Sequence, residues 1–164
     1  MTRVLSALLL FSLTALLPAQ VMNEELTGTW SGDLYQNEGG FAERFELFFD
    51  VEQIGPVLRG TAFVRLGELM AEMRLSGTRQ ANGSWLLRET QILRNNKAGL
   101  AVSWCMKTYE IRLSYEKGRL VLIGPWWGDS EFGPCIPGTI RLHRRKRVAL
   151  LLRGEHPVDV QSHG

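Results

Sequence analysis

The chain has 164 residues, 45% of them hydrophobic and 22% charged, and a formal net charge of +2. This is enough for one ordinary domain with its own core, and the composition excludes a disordered chain. The net charge is too small to imply nucleic acid as a partner, although Arg141, Arg144, Arg145, Lys146 and Arg147 crowd together near the C-terminus, and Glu43, Glu46, Asp50 and Glu52 near the start.

Arg3 precedes an unbroken run of apolar and small residues from Val4 to Leu17, closed by Pro18 and Ala19. That order is the layout of a secretory signal peptide, so residues 1–19 are read as a signal removed on export. The run is shorter than the roughly 20 residues that span a bilayer, and Asn23, Glu24 and Glu25 follow at once. The expected product is exported, periplasmic or extracellular, with one domain over residues 24–147 and a tail over 148–164.

The domain reads as strand after strand. From Leu26 to Gln36, Trp30, Gly32 and Leu34 alternate with Thr29, Ser31 and Asp33, the period of a half-buried strand. Asn37 to Gly40 turn the chain. Phe41 to Ile54 places Phe45, Leu47, Phe49 and Val51 on one face and ends at Gly55-Pro56. Leu58 to Leu66 and Met70 to Gln80 repeat the pattern, and Asn82-Gly83 is a strong hairpin signal. Trp85 to Leu93 forms the next strand, with Arg94 to Gly99 a polar loop. Trp104 to Tyr115, Arg119 to Trp127 and Thr139 to Arg145 complete a set of about eight. Short connections make neighbours antiparallel, and a meander of this size exposes two edges unless it closes. The expected fold is all-β, an antiparallel up-and-down barrel of about eight strands.

Leu26-Thr27-Gly28-Thr29-Trp30 resembles the opening strand of the calycin superfamily, which includes lipocalins, fatty-acid-binding proteins and avidins. The resemblance implies that Gly28 and Trp30 begin the barrel and that Arg144, on the last strand, packs across Trp30 to close its base. No biotin contact is carried over. Trp104-Cys105-Met106-Lys107, Gly124-Pro125-Trp126 and the segment from Gly133 to Gly138 resemble uncharacterised exported bacterial proteins of about this length.

Cys105 and Cys135 are the two cysteines, and in an oxidising compartment an even count predicts a bridge between them. A redox pair normally has a much shorter spacing. The sequence carries no glycine-rich phosphate loop, nucleophile elbow, zinc-protease motif or calcium loop. His143, His156 and His163 fall in the last strand and tail and are read as solvated, so neither a metal nor a cofactor is expected.

The polar minority on faces that otherwise point inward carries the functional argument. If Tyr109, Ile111, Leu113 and Tyr115 face the interior, alternation also sends Lys107 and Cys105 there. If Trp85 and Leu87 do, so do Glu89 and Gln91. Glu89 and Lys107, on consecutive strands, then form an internal ion pair or a polar anchor for a ligand, unless a β-bulge shifts the parity. Tyr109 belongs to the same face. Trp126 and Trp104 bring aromatic surface to the rim that the cysteines mark. The expectation is a binding module for a small apolar or amphipathic molecule, not embedded in the membrane and without catalytic residues. The alternative is a packed scaffold whose loops, especially Gly128 to Gly138, dock onto a cell-envelope protein.

Overall fold

The structure is a computed structural model that describes residues 25–97 and 99–145. The predicted signal, the tail and both outer ends of the predicted domain lie outside the described residues, as do His156 and His163. Nine strands follow in order: β1 Gly28–Gln36, β2 Arg44–Ile54, β3 Val57–Leu66, β4 Leu69–Arg79, β5 Trp85–Asn96, β6 Met106–Glu116, β7 Arg119–Ser130, β8 Gly133–Pro134 and β9 Gly138–Arg144. From β1 to β7 each strand pairs antiparallel with the next, and β9 inserts between β7 and β1. The result is a closed eight-stranded barrel, with the two-residue β8 appended to the end of β7.

Alternation builds its wall. Leu47, Phe49 and Val51 of β2 face Val64, Ala62 and Gly60 of β3 across the ladder, and all the apolar members of this set are buried. The intervening residues carry charge outward. Glu46 lies opposite Arg65 and pairs with it at 2.5 Å, and Glu72 lies opposite Arg94, also at 2.5 Å. Such exposed pairs are each worth at most about 1 kcal/mol, so they order the surface more than they stabilise the fold. They also fix the environment of the wall. A barrel in a bilayer turns its apolar face outward, whereas this one turns Trp30, Phe49, Met73 and Leu87 inward and charge outward.

The predicted Asn82-Gly83 hairpin joins β4 to β5. Gly83 has φ +83°, a left-handed value that favours glycine, and its N–H donates to the Gln80 carbonyl at 2.9 Å. Asn82 Oδ1 accepts from both Ser84 N at 2.9 Å and Ser84 Oγ at 2.7 Å.

Three sequence expectations change along β5 and β6. Two register shifts on the β4–β5 ladder leave Thr90 and Leu93 unmatched, so Gln91 is exposed and Ile92 packs against the core opposite Met73. The expected inward Gln91 is thereby displaced by bulges. The strand also continues to Asn96, where a loop was expected from Arg94. Tyr115 shares the parity of Tyr109 but is 59% exposed, because it stands at the end of β6 beyond the packed core.

One end of the barrel is sealed. Trp30 and Leu26 are fully buried there, and the Trp30 indole N–H donates to the Leu26 carbonyl at 2.9 Å. The Arg144 guanidinium lies 5.1 Å from the Trp30 ring centroid and donates to the carbonyls of Glu25 at 2.5 Å and Thr27 at 2.8 Å. Gly28, at φ +131°, lies beside Arg144, where a Cβ would stand 3.9 Å from Nε. Above this plug, Phe49 meets Tyr109 edge to face at 5.2 Å and fills the middle of the barrel.

Candidate functional site

The other end is open. At it β1 ends, β2 begins, β3 turns into β4, β5 leaves for β6, and β7 passes through β8 into β9. The upper inward positions of three strands, Leu34, Phe45 and Val64, form walls there together with Leu69 and Trp126. Loop residues at 39–41, 101–105 and 130–136 raise the walls into a cavity of about 350 Å³. Phe41 and Phe132, 60% and 80% exposed, stand on its rim.

The predicted disulfide forms and belongs to this end. Cys105, just before β6, is bonded to Cys135, just after β8, with Cα atoms 6.3 Å apart. Gly128 makes room for it: a Cβ there would approach Met106 O to 2.2 Å and Cys105 Sγ to 3.0 Å. The Cys135 N–H donates to Gly128 O at 2.9 Å, so backbone and disulfide together hold the segment after β7 against the start of β6.

Beneath the cavity lies the polar group that alternation predicted. Glu89 is 7% and Lys107 5% exposed. The β5–β6 ladder runs from Trp85 opposite Ile111 to Arg88 opposite Thr108, and Glu89 sits where it stops. Its carboxylate takes over the pairing. Oε2 accepts from the Lys107 backbone N–H at 2.8 Å and from Lys107 Nζ at 3.3 Å, and Oε1 accepts from the Tyr109 hydroxyl at 2.5 Å. Lys107 Nζ also donates to the Cys105 carbonyl at 3.0 Å. Three donors on one carboxylate make Glu89 an acceptor at every contact, the role of its charged form. Burial, and next the adjacent Glu89 charge, hold the Tyr109 phenol well above its usual value near 10, so Tyr109 keeps the proton it donates.

Glu89, Lys107 and Tyr109 are therefore brought together, but they do not share one surface. Lys107 lines the cavity, as does Trp126, while Glu89 and Tyr109 lie behind it. Trp126 serves as an apolar wall, because its indole N–H is already given to the Tyr35 carbonyl at 2.8 Å. Sequence reasoning placed Trp104 at the rim without a role. Its Nε1–H is buried and has no acceptor among the described residues, although the ring lines the cavity. His143, expected to be solvated, is half-buried with Nδ1 shielded and unpartnered among the described residues. No group of three or more His, Cys, Asp or Glu suited to a metal occurs among the described residues. Chemically, the open end offers apolar walls and a few hydrogen-bond donors.

Together these features define the class of protein: a closed eight-stranded antiparallel barrel, sealed at one end and open at the other. No protein-family model, curated protein or solved structure matches the chain.

Proposed function

We propose that this protein is an exported, calycin-like binding barrel that holds a small apolar or amphipathic molecule in its open end and carries out no catalysis. The observation that supports this most is the 350 Å³ cavity over Lys107, with walls of Leu34, Phe45, Val64 and Leu69. Small-molecule sites take this form: concave, mostly apolar, of about 300–1,000 Å³, with a few placed polar groups. The middle of the barrel is packed by Phe49, Met73 and Tyr109, so the occupant is short and reaches no deeper than Lys107. A disulfide suits an oxidising compartment, and the Arg144–Trp30 closure suits the calycin resemblance.

The test is a titration of the purified protein with the uncharged apolar dye N-phenylnaphthylamine, read by dye emission. Saturable one-site binding with a Kd on the order of micromolar is expected. Ala101 is exposed on the cavity wall, so Ala101→Trp should block the site at little cost to the fold and weaken binding at least about tenfold. An unsaturable dye response, or one indifferent to Ala101→Trp, removes the proposal. A second reading, a scaffold docking onto a cell-envelope protein, draws on exposed Phe41 and Phe132. It requires that Phe132→Ser abolish a complex with such a protein.

A further inference from the structure

The donors at the open end differ in what they still have to give. Lys107 Nζ has three protons, of which Glu89 Oε2 and the Cys105 carbonyl take two. A third remains without an acceptor among the described residues, on a side chain that lines the cavity. Trp104 also lines this wall, and its buried Nε1–H has no acceptor among the described residues. Lys107 is also the sole charged residue among the described residues that line the cavity, beside the polar Gln36, Ser103 and Ser130. That one charge is already matched at 3.3 Å by Glu89, whose side chain is fully buried.

From this balance, and resting on the reading of the open end as a ligand site, we infer that the occupant is anchored by an uncharged hydrogen-bond acceptor. The carbonyl of a ketone, ester, lactone or amide fits; a carboxylate does not. A neutral carbonyl accepts the spare Lys107 proton and leaves the net charge of the buried group unchanged. A carboxylate would add a second negative charge beside Glu89 with no unmatched cation to meet it, and an unmatched charge away from water is strongly disfavoured. The apolar walls then take up the rest of the molecule.

The experiment compares two probes of equal length, methyl heptyl ketone and nonanoate, as competitors of the bound dye at about pH 7.5, where the acid is ionised. The ketone should displace the dye at least about tenfold more effectively. Nonanoate equal to or better than the ketone overturns the inference while leaving the cavity a ligand site. Displacement by neither probe, together with no saturable dye binding, overturns the site itself and the inference with it. Glu89→Gln supplies an independent arm: it keeps one acceptor oxygen for Lys107 and turns an amide N–H towards the Tyr109 hydroxyl, which can accept it, but removes the countercharge. In that variant the ketone preference should shrink at least about tenfold towards the carboxylate, and an unchanged preference counts against the inference. If Glu89→Gln fails to fold, the comparison on the unaltered protein still decides.

Discussion

At the scale of single residues, the buried pair of Glu89 and Lys107 is the feature whose removal has the largest predicted cost. Either charge alone would be stranded beneath the cavity. Lys107→Met is expected to destabilise by about 3–5 kcal/mol, because it leaves the Glu89 carboxylate buried with only Tyr109 and one backbone N–H. Adding Glu89→Gln should recover a large part of that loss, since the pair is then neutral on both sides. Urea denaturation of the two single variants and the double variant closes the cycle, and additive losses would show that the two charges do not depend on one another. Tyr109 adds a pH signature. Its folded-state phenol titrates above the unfolded value near 10, so folding holds a proton that the unfolded chain releases. Stability from this source is complete below pH 10 and falls as pH rises from there, by up to about 1.4 kcal/mol per pH unit. Tyr109→Phe should lose about 1–3 kcal/mol at neutral pH through the missing hydrogen bond, and its stability should then fall less steeply above pH 10 than that of the unaltered protein. Parallel alkaline profiles would refute the assignment. Alternation made these residues legible in advance, since Glu89 shares parity with Trp85 and Leu87, and Lys107 with Tyr109. It failed at Gln91, because a bulge leaves no mark in a run such as Glu89-Thr90-Gln91-Ile92 and is decided by the partner strand.

At the scale of elements, the open end owes its shape to the disulfide between the approach to β6 and the segment after β8. Closing a loop of 30 residues should contribute roughly 3–4 kcal/mol in the chain-entropy model. The structural effect of losing it should be local, because β1 to β4 are held by continuous ladders that the bridge does not touch. In the Cys105→Ser, Cys135→Ser double variant, amide exchange should accelerate around residues 101–107 and 131–138 while β1 to β4 keep their protection. Dye affinity should fall with it, since Lys107 Nζ leans on the Cys105 carbonyl and the loop at 130–136 forms one wall. Uniform acceleration over the whole barrel would mean instead that the bridge holds the fold and not the opening. Cysteine count and spacing made the pairing readable from sequence. The role of the surrounding loops was not readable: the turn over 37–40 was expected, but 39–41 and 101–104 have no period that marks them as walls, and they become walls only because strand lengths bring every connection at this end to the same level.

At the scale of the molecule, closure explains both ends. The long strands and short turns argue for a ring before any coordinate is known, because an open meander would leave two unpaired edges. What pattern alone does not supply is how the ring is locked, and here the calycin resemblance pointed to Gly28, Trp30 and Arg144, which do meet at the sealed end. Arg144 joins the first strand to the last twice over: its backbone lies opposite Trp30 in the β1–β9 ladder, and its side chain stacks on that ring while donating to Glu25 and Thr27 carbonyls just ahead of β1. A planar fork is needed to do both. Arg144→Ala is therefore expected to lower stability by about 1–3 kcal/mol, and Arg144→Lys to recover less than half, because an ammonium cannot lie flat on the indole and reach two carbonyls. The loss should be felt at the sealed end alone, where Trp30 emission shifts to the red, while dye binding at the open end about 350 Å³ in size keeps its affinity. Thermal denaturation followed by tryptophan emission, run beside the dye titration, checks both halves. A full rescue by lysine would reduce Arg144 to a surface charge, and a parallel loss of dye binding would mean that the two ends of the barrel are coupled through its packed middle, from Trp30 past Phe49 and Tyr109 to Lys107.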